Sequence, residues 1–258
     1  MSLRLAITGA TGRMPQQVVA IAEERGHEVL PVSRVSERID GFDAYPANNL
    51  AAVLADQRPD GLVDFTAPEG SVDYAAACAE AGVPAVVGTT GFSDEQFESL
   101  RRASERTPVL HAPNFSRGVA VLTDLTERAT RMLPDHDVEL TETHHREKRD
   151  APSGTANALL DAIEGARDPE RHGAHADGER VHGREGVAPR RDGDVGVHAR
   201  RAGDIRGEHE VLFAGDDETL TLTHRAGSRR VFAAGALDAA EWLVGRDAGW
   251  YDFAEVLE

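Results

Sequence analysis

The first 33 residues of the chain restrict its fold more than any other stretch. An apolar run at Arg4–Thr8 ends in Gly-Ala-Thr-Gly at 9–12, and apolar residues at helical spacing follow over 16–23. Gly26 ends the helical pattern, and a second apolar run covers 27–33. Strand, tight turn, helix and strand in this order predict a βαβ unit and therefore a parallel sheet with right-handed crossovers. Pro31 favours an edge position for the second strand.

The same alternation continues and then changes. Apolar runs at 61–65, 85–87 and 108–111 alternate with helical patterns at 71–81 and 94–105, which extends the parallel sheet. After Asn114 the pattern predicts a helix at 119–132, strands at 137–143, 195–199, 210–213 and 219–224, and a last helix at 232–244. A second domain is therefore expected from about Ser116. Residues 165–194 lack apolar periodicity and are predicted to be a long surface excursion.

Composition excludes several classes of protein. With 40% hydrophobic and 28% charged residues, a chain of 258 residues can build a core, which excludes wholesale disorder. It has no apolar run of about 18 residues, and its start is too short and polar for a signal peptide. A single cysteine, Cys78, cannot form an intrachain disulfide. We therefore expect a cytoplasmic protein that does not enter a membrane.

The charge distribution carries two further predictions. A formal net charge of −17, from 45 acidic and 28 basic residues, argues against a nucleic-acid partner. Lys148 is the only lysine, and an acidic, lysine-poor surface suits concentrated salt, which predicts a halophilic source. A GC-rich genome is an alternative that accounts for the missing lysines but not for the acidic excess. Because an ammonium can lose its proton and a guanidinium cannot, Lys148 is a candidate for proton chemistry.

The glycine turn at 9–12 predicts a dinucleotide site, since glycines let backbone N–H groups approach a pyrophosphate at a helix N-terminus. An ordinary turn is the alternative. Pro15 stands where many such motifs carry a third glycine, and proline is tolerated in a first helical turn. At the end of the second strand, Ser33 and Arg34 replace the acidic residue typical of NAD sites. Arg34 favours the 2′-phosphate of NADPH over NADH, unless it is simply a solvated arginine.

A second cluster of reactive side chains lies at 143–157. It contains His144, His145, Lys148 and a Pro-Ser-Gly-Thr turn that leads into a predicted helix. Backbone N–H groups of Gly154 and Thr155 could bind a carboxylate there, beside protonatable cations. Two alternatives remain: a capped helix next to a solvated charge run, and a metal site that uses the two histidines with His209, although no HExxH pattern is present.

These motifs resemble those of the 4-hydroxy-tetrahydrodipicolinate reductase (dihydrodipicolinate reductase) family, in order and over nearly the whole chain. The segments that carry the resemblance are 9–14, 63–69, 88–92, 112–116, 144–155, 201–209 and 232–236. The segment His-His-x-x-Lys-x-Asp-Ala-Pro-Ser-Gly-Thr is the most specific of them. Pro15 is the main departure, since the family normally carries glycine there.

The resemblance implies an α/β fold in which a Rossmann-type nucleotide-binding domain is joined to a smaller α+β domain with a mixed sheet. It implies that residues 1–115 and 229–258 form the dinucleotide-binding domain, and that 116–228 form the substrate-binding and tetramerisation domain of a homotetramer. The activity implied is the NAD(P)H-dependent reduction of (2S,4S)-4-hydroxy-2,3,4,5-tetrahydrodipicolinate, a small anionic dicarboxylate, in lysine biosynthesis through diaminopimelate.

The resemblance also implies roles for individual residues. His144 and Lys148 are expected to be catalytic, as proton donors or acceptors, and His145, Gly154 and Thr155 to bind substrate. No metal is expected. The expected contacts to NADPH or NADH are Gly9, Ala10, Thr11, Gly12, Arg13, Met14, Arg34, Gly88, Thr89, Thr90, Ala112, Pro113, Asn114 and Phe115. Two other functions stay open: a non-catalytic NAD(P)-sensing regulator, and a reductase of another imine or keto acid.

Overall fold

The βαβ pattern at the start of the chain folds into a parallel sheet in the computed structural model, which describes residues 1–34, 38–39 and 42–258. The chain divides into two compact units, one formed by Met1–Arg117 with Arg229–Glu258 and the other by Gly118–Ser228. In the described residues, no helix combines the length and the apolar character needed to cross a membrane.

The first unit is built from short strands that alternate with helices. Its strands up to residue 111 are β1 (Arg4–Thr8), β2 (Glu28–Ser33), β3 (Arg38–Ile39), β4 (Phe42–Asp43), β5 (Tyr45–Pro46), β6 (Gly61–Asp64), β7 (Ala85–Val87) and β8 (Pro108–His111). Its helices over the same stretch are α1 (Arg13–Glu24), α2 (Leu50–Gln57), α3 (Pro68–Ala81) and α4 (Asp94–Ser104). A 3₁₀ turn at Ala47–Asn49 precedes α2.

The second unit follows with fewer, longer strands. Its elements are α5 (Arg117–Met132), β9 (Asp137–His144), α6 (Gly154–Ala166), α7 (Pro169–His172), β10 (Arg180–His182), β11 (Val195–Arg201), β12 (Glu208–Ala214) and β13 (Thr219–Arg225), with a 3₁₀ turn at Gly173–His175. The chain then returns to the first unit with α8 (Arg230–Leu243), β14 (Gly249–Tyr251) and a 3₁₀ turn at Phe253–Leu257.

In the first unit, seven strands form one sheet in the order β14-β8-β7-β6-β1-β2-β5, and every neighbouring pair is parallel. Every residue of β6 and β7 is buried, as expected for a parallel sheet covered by helices on both faces. In a parallel sheet, the carboxyl ends of the strands all lie on the same side. The segments that follow β1, β6, β7 and β8 therefore lie close together there.

The second unit contains a mixed five-stranded sheet in the order β10-β11-β9-β12-β13. β9 is central, because it pairs in parallel with β11 and antiparallel with β12. One face packs against α6, whose Leu159, Leu160 and Ile163 are fully buried with Leu140 and Phe213. The predicted fold class, a Rossmann-type sheet joined to a smaller unit with a mixed sheet, is confirmed.

One prediction from the pattern is wrong. β2 is not an edge strand, because β5 pairs with it on the outer side. That pairing involves only Val32 and Ser33, so Pro31 precedes the residues that need a donor or acceptor there. The stretch at 165–194, predicted as a surface excursion, contains two short elements, α7 and the edge strand β10. Elements of three or four residues are too short to show periodicity.

Two helical glycines provide a test of the core packing. A Cβ at Gly235, in α8, would lie 1.8 Å from the carbonyl oxygen of Phe115, whereas a Cβ at Gly165, in α6, meets nothing within 4 Å. We expect Gly235→Ala to lower the free energy of unfolding by about 1–3 kcal/mol through overpacking. Gly165→Ala should raise it by about 0.5–1 kcal/mol through helix propensity. Chemical unfolding of both variants in molar salt checks this; an unchanged or raised stability of Gly235→Ala would contradict the packing.

Candidate active site

The glycine turn of the first unit connects the end of β1 to the start of α1. Gly9 has a φ of +67°, and a Cβ there would lie 2.7 Å from the Thr66 side chain, so only glycine fits without displacement. The Gly12 N–H donates to the Gly9 carbonyl oxygen at 2.8 Å. The turn is therefore tight, and it brings its backbone close to the segment after β6.

The start of α1 suits an anionic group. Gly12 occupies the N-cap and, in the part of the chain that the structure describes, no side chain caps this end of the helix. Backbone N–H groups and the helix dipole at such an end favour a phosphate. Pro15 is buried in the first turn, where its missing N–H would have no helical partner. Among the other predicted contacts, Thr11 and Arg13 are exposed, Ala10 is buried and Met14 is half-buried. The residues present fit a dinucleotide.

A buried carboxylate joins the strand ends beneath the glycine turn. Asp64, the last residue of β6, is fully buried and accepts hydrogen bonds from four hydroxyl groups. Thr8 and Thr66 donate to Oδ1 at 2.5 and 2.7 Å, and Thr89 donates to Oδ2 at 3.0 Å. Ser71, in α3, is the fourth donor. These bonds connect the carboxyl ends of β1, β6 and β7 with α3.

The other predicted nucleotide contacts follow β2, β7 and β8. Arg34 is exposed directly after β2. Gly88 has no room for a side chain, since its Cβ would lie 2.1 Å from the Phe65 ring. Thr89 is buried and Thr90 exposed. In the loop after β8, Ala112 and Phe115 are buried, Pro113 is exposed, and the Asn114 side chain accepts a hydrogen bond from the Ser116 N–H at 2.8 Å.

In the second unit, the predicted catalytic histidine is the last residue of β9. The His144 ring is buried, and its Nδ1 lies 2.6 Å from Oε2 of Glu142. Glu142 is itself fully buried and lies two residues earlier on the same strand, so both side chains project from one face of the sheet. A carboxylate and an imidazole in this contact form a hydrogen-bonded acid–base pair.

Arg201 completes the pairing of this carboxylate from the end of β11. Its Nη1 donates to Oε2 of Glu142 at 2.7 Å and its Nη2 to Oε1 at 2.6 Å. Burial raises the pKa of Glu142, but the hydrogen bonds from Arg201 and His144 lower it more, so this pKa lies below its usual value. Burial lowers the pKa of His144 and the bond to Glu142 opposes it, with a net lowering. Near neutral pH, Glu142 is therefore ionised and His144 mainly neutral.

The turn at 152–155 lies next to the same carboxylate. The Ser153 N–H donates to Oε1 of Glu142 at 3.2 Å, and the Ser153 hydroxyl accepts from the Ala156 N–H at 3.1 Å as the N-cap of α6. Gly154 and Thr155 are the first residues of that helix. The predicted substrate-binding turn and the predicted proton-transfer histidine are thus connected through Glu142.

His209, in β12, contacts both His144 and Ser153. Its ring is 5.2 Å from that of His144, edge to face, and its Nε2 lies 3.0 Å from the Ser153 hydroxyl. Burial, followed by the charge of His144, lowers the pKa of His209 to about 3. It is therefore neutral at physiological pH, and among the described residues its Nδ1 has no hydrogen-bond partner.

The two remaining predicted residues follow β9. The Lys148 side chain is 21% exposed, and its ammonium lies 2.9 Å from a carboxylate oxygen of Asp150. Burial raises the pKa of Asp150, but its bond to Lys148 and nearby cations produce a net lowering. His145 is half-buried, and its Nδ1 has no hydrogen-bond partner in the described chain. Within the same residues, no cluster of three or more histidine, cysteine or acidic side chains is arranged to hold a metal ion.

Glu142 and Arg201 were not singled out from the sequence as site residues, and His209 was considered only as a possible metal ligand. For Glu142 a signal was present, because a carboxylate two positions before His144 on an alternating strand must share its face. Arg201 and His209 lie in the segment 201–209, which carried the resemblance, but local spacing did not place either of them beside His144. Sheet register places Arg201 opposite His144 and His209 opposite Glu142.

The glycine turn after β1, at the carboxyl ends of a parallel sheet, is typical of nucleotide-binding oxidoreductases of the NAD(P)H type. Comparison with known proteins identifies the family. The model described as dihydrodipicolinate reductase, N-terminus, matches residues 3–115, and the model described as dihydrodipicolinate reductase, C-terminus, matches 118–257. The chain belongs to the dihydrodipicolinate reductase family, which confirms the resemblance seen in its motifs.

Individual relatives are similar along their whole length. A 4-hydroxy-tetrahydrodipicolinate reductase of Natronomonas pharaonis is 51% identical, over 99% of this chain and 100% of the relative. One from Haloarcula marismortui is 49% identical over 99% of both. Both organisms are halophilic archaea, in line with the acidic composition. A dipicolinate-bound dihydrodipicolinate reductase from Paenisporosarcina sp. TG-14 superposes with a TM-score of 0.78, at 25% identity over 98% of both chains.

The low pKa of His209 predicts a pH-dependent stability. Between its ordinary value of about 6.5 and about 3, this histidine binds a proton only when the chain is unfolded, so stability falls as pH falls through this range. From pH 7.5 to 5.0 we expect His209 to account for a loss of about 2 kcal/mol. Urea unfolding in molar salt should show this loss in the wild type and in His182→Gln, an exposed control, but not in His209→Gln. Equal pH dependence in all three would contradict it.

Proposed function

We propose that the chain catalyses the NAD(P)H-dependent reduction of (2S,4S)-4-hydroxy-2,3,4,5-tetrahydrodipicolinate to tetrahydrodipicolinate, a step of lysine biosynthesis through diaminopimelate. The observation that carries this proposal is the 51% identity to a reductase of that name over 99% of the chain. The first unit would bind the nucleotide and the second the substrate.

The chemistry assigns work to the side chains of the second unit. The reaction removes the 4-hydroxyl group as water and adds one hydride and one proton to the ring system. NAD(P)H, when bound, supplies the hydride. His144 and Lys148 would transfer protons, which is typically worth about 10²–10⁴-fold in rate. His144 is suited to this because it is mainly neutral near pH 7, with Nδ1 bound to Glu142.

The substrate carries two carboxylates, and the second unit offers groups that bind anions. Backbone N–H groups of Gly154 and Thr155 lie at the start of α6, next to the Ser153 cap. We propose that His145, Gly154 and Thr155 hold the carboxylates, with Lys148 adding positive charge. A local positive field is what an anionic substrate requires in a protein of net charge −17.

For the nucleotide, we propose a preference for NADPH over NADH. Arg34 is exposed at the end of β2, the position where an acidic residue would bind the ribose hydroxyls of NAD. A guanidinium instead pairs with a 2′-phosphate in bidentate geometry. The residues proposed to contact the rest of the nucleotide are those of the 9–14 turn, 88–90 and 112–115.

We propose that the protein is a cytoplasmic homotetramer assembled through the sheet of the second unit. α6 packs against one face of this sheet. On β12, alternate residues such as Glu210 and Leu212 remain half-buried, and most of β13 is exposed. A sheet with one unfilled face and an exposed edge strand supports association with other copies.

The function is tested by following absorbance at 340 nm in molar salt, with the substrate generated from pyruvate and aspartate semialdehyde by a coupling synthase. We expect substrate-dependent oxidation of the nucleotide, faster with NADPH than with NADH. No oxidation of either nucleotide, in protein shown to be folded at that salt concentration, would overturn the proposal and favour a nucleotide-sensing regulator.

Lys148→Arg separates charge from proton transfer. The guanidinium keeps the positive charge but does not release a proton, so we expect turnover to fall about 10²–10⁴-fold while the KM for NADPH stays unchanged. Arg149→Lys, the reverse exchange at an exposed neighbour, serves as the control and should retain wild-type turnover. Near-normal turnover of Lys148→Arg would remove this residue from the proposed role.

Arg34→Ala tests the nucleotide preference. Loss of a charge-assisted contact to the 2′-phosphate should raise the KM for NADPH about 10-fold or more, since such bonds are worth about 1.5–3 kcal/mol. The KM for NADH, which has no 2′-phosphate, should not change and is the internal control. An equal rise in the KM for NADPH and for NADH would show that Arg34 does not select between the two nucleotides.

A further inference from the structure

The contact between His144 and Glu142 determines where the imidazole carries its proton. Nδ1 of His144 lies 2.6 Å from Oε2 of Glu142, inside a buried region. An ionised carboxylate has no hydrogen to donate, so the hydrogen in this bond must belong to Nδ1. The neutral ring then has a lone pair on Nε2, which is the atom left to exchange a proton with another molecule.

The carboxylate is itself held in place. Arg201 binds both of its oxygens, and the Ser153 N–H donates to one of them. Arg201 also donates to the carbonyl oxygen of Asp150 at 2.6 Å, which ties its guanidinium to the loop before the substrate-binding turn. With donors on both oxygens, Glu142 cannot rotate away from His144 without breaking charge-assisted hydrogen bonds.

The residue next to Nε2 of His144 is a glycine. Gly207, just before β12, has a φ of +153°, and a Cβ built there would lie 3.1 Å from Nε2 of His144. Any larger residue would therefore crowd the nitrogen that is not bonded to Glu142. Glu142 therefore fixes Nδ1 of the ring, and the glycine at 207 places no side chain against Nε2.

We infer that Glu142 is a positioning residue, which with Arg201 fixes His144 as the Nδ1–H tautomer and presents Nε2 for proton exchange. The inference deepens the proposed function, on which it rests for the role of His144. The charged or titratable groups that act on His144 are Glu142, Lys148, Arg201 and His209. Glu142 is the only anion among these four, so its loss leaves His144 beside cations and a neutral ring.

Glu142→Gln reverses the tautomer while it preserves shape. An amide NH₂ directed at Nδ1 would donate to it, so the ring proton would move to Nε2, and Nε2 could no longer accept. We expect kcat to fall about 10²–10⁴-fold, as when the carboxylate that orients a catalytic histidine becomes an amide, while the KM values for substrate and nucleotide change less than about threefold. A rise in KM of that size, without a loss of kcat, would overturn the assignment.

A direct readout does not require turnover. The ring ¹⁵N shifts of His144, recorded at pH 7.5 and assigned with His144→Asn, distinguish a protonated Nδ1 from a protonated Nε2. We expect Nδ1–H in the wild type and Nε2–H in Glu142→Gln. An Nε2–H wild-type ring overturns the inference even if Glu142→Gln fails to fold. Because the spectrum is independent of the reaction, failure of the reductase assay and failure of this inference remain distinguishable.

The chain contains a matched control outside the site. Glu241 accepts hydrogen bonds from Arg25 and from Nε2 of His27, at 2.8 and 3.0 Å, so the same three residue types meet in the first unit. Glu241→Gln should leave kcat within about twofold of the wild type. Glu142→Asp, which keeps the charge on a shorter side chain, should recover part of the lost turnover. If Glu241→Gln lowered kcat as much as Glu142→Gln, a general loss of stability would replace the positioning role.

Discussion

A carboxylate that is removed from water costs several kcal/mol of folding free energy unless its oxygens are satisfied, and each unit of this chain buries one completely. The solutions differ. Asp64 accepts hydrogen bonds from four hydroxyl groups, whereas Glu142 is paired with an arginine and a histidine. In both cases the donors come from different elements, so satisfying the carboxylate fixes strand ends and helix starts relative to one another. The candidate site residues are attached to those ends.

The donors around the two carboxylates also differ in charge. Hydroxyl groups around Asp64 are uncharged and short, so they join β1, β6 and β7 without placing a cation under the glycine turn. Around Glu142 the guanidinium of Arg201 supplies a positive charge, so the neighbouring histidine is not the sole counter-ion.

Much of this could be predicted because it is local in sequence. The glycine turn lies between a strand and a helix, and the segment 144–155 covers a strand end, a loop and a helix start, so spacing alone brings its members near one another. Arg201 and His209 come from β11 and β12, and only sheet register puts them opposite β9. The edge strand β5 and the short β10 could not be predicted for a different reason, since two or three residues are too few to show a period.

Depth of burial determines how strongly salt weakens each ion pair of this acidic protein. At 1 M salt the Debye length is about 3 Å, so exposed pairs such as Arg128 with Asp124 on α5 are screened and contribute little. The same screening reduces repulsion among 45 carboxylates. Buried pairs are screened much less. Glu142 is fully buried and Arg201 is largely so, and their pairing is therefore screened much less by salt than the exposed pairs are.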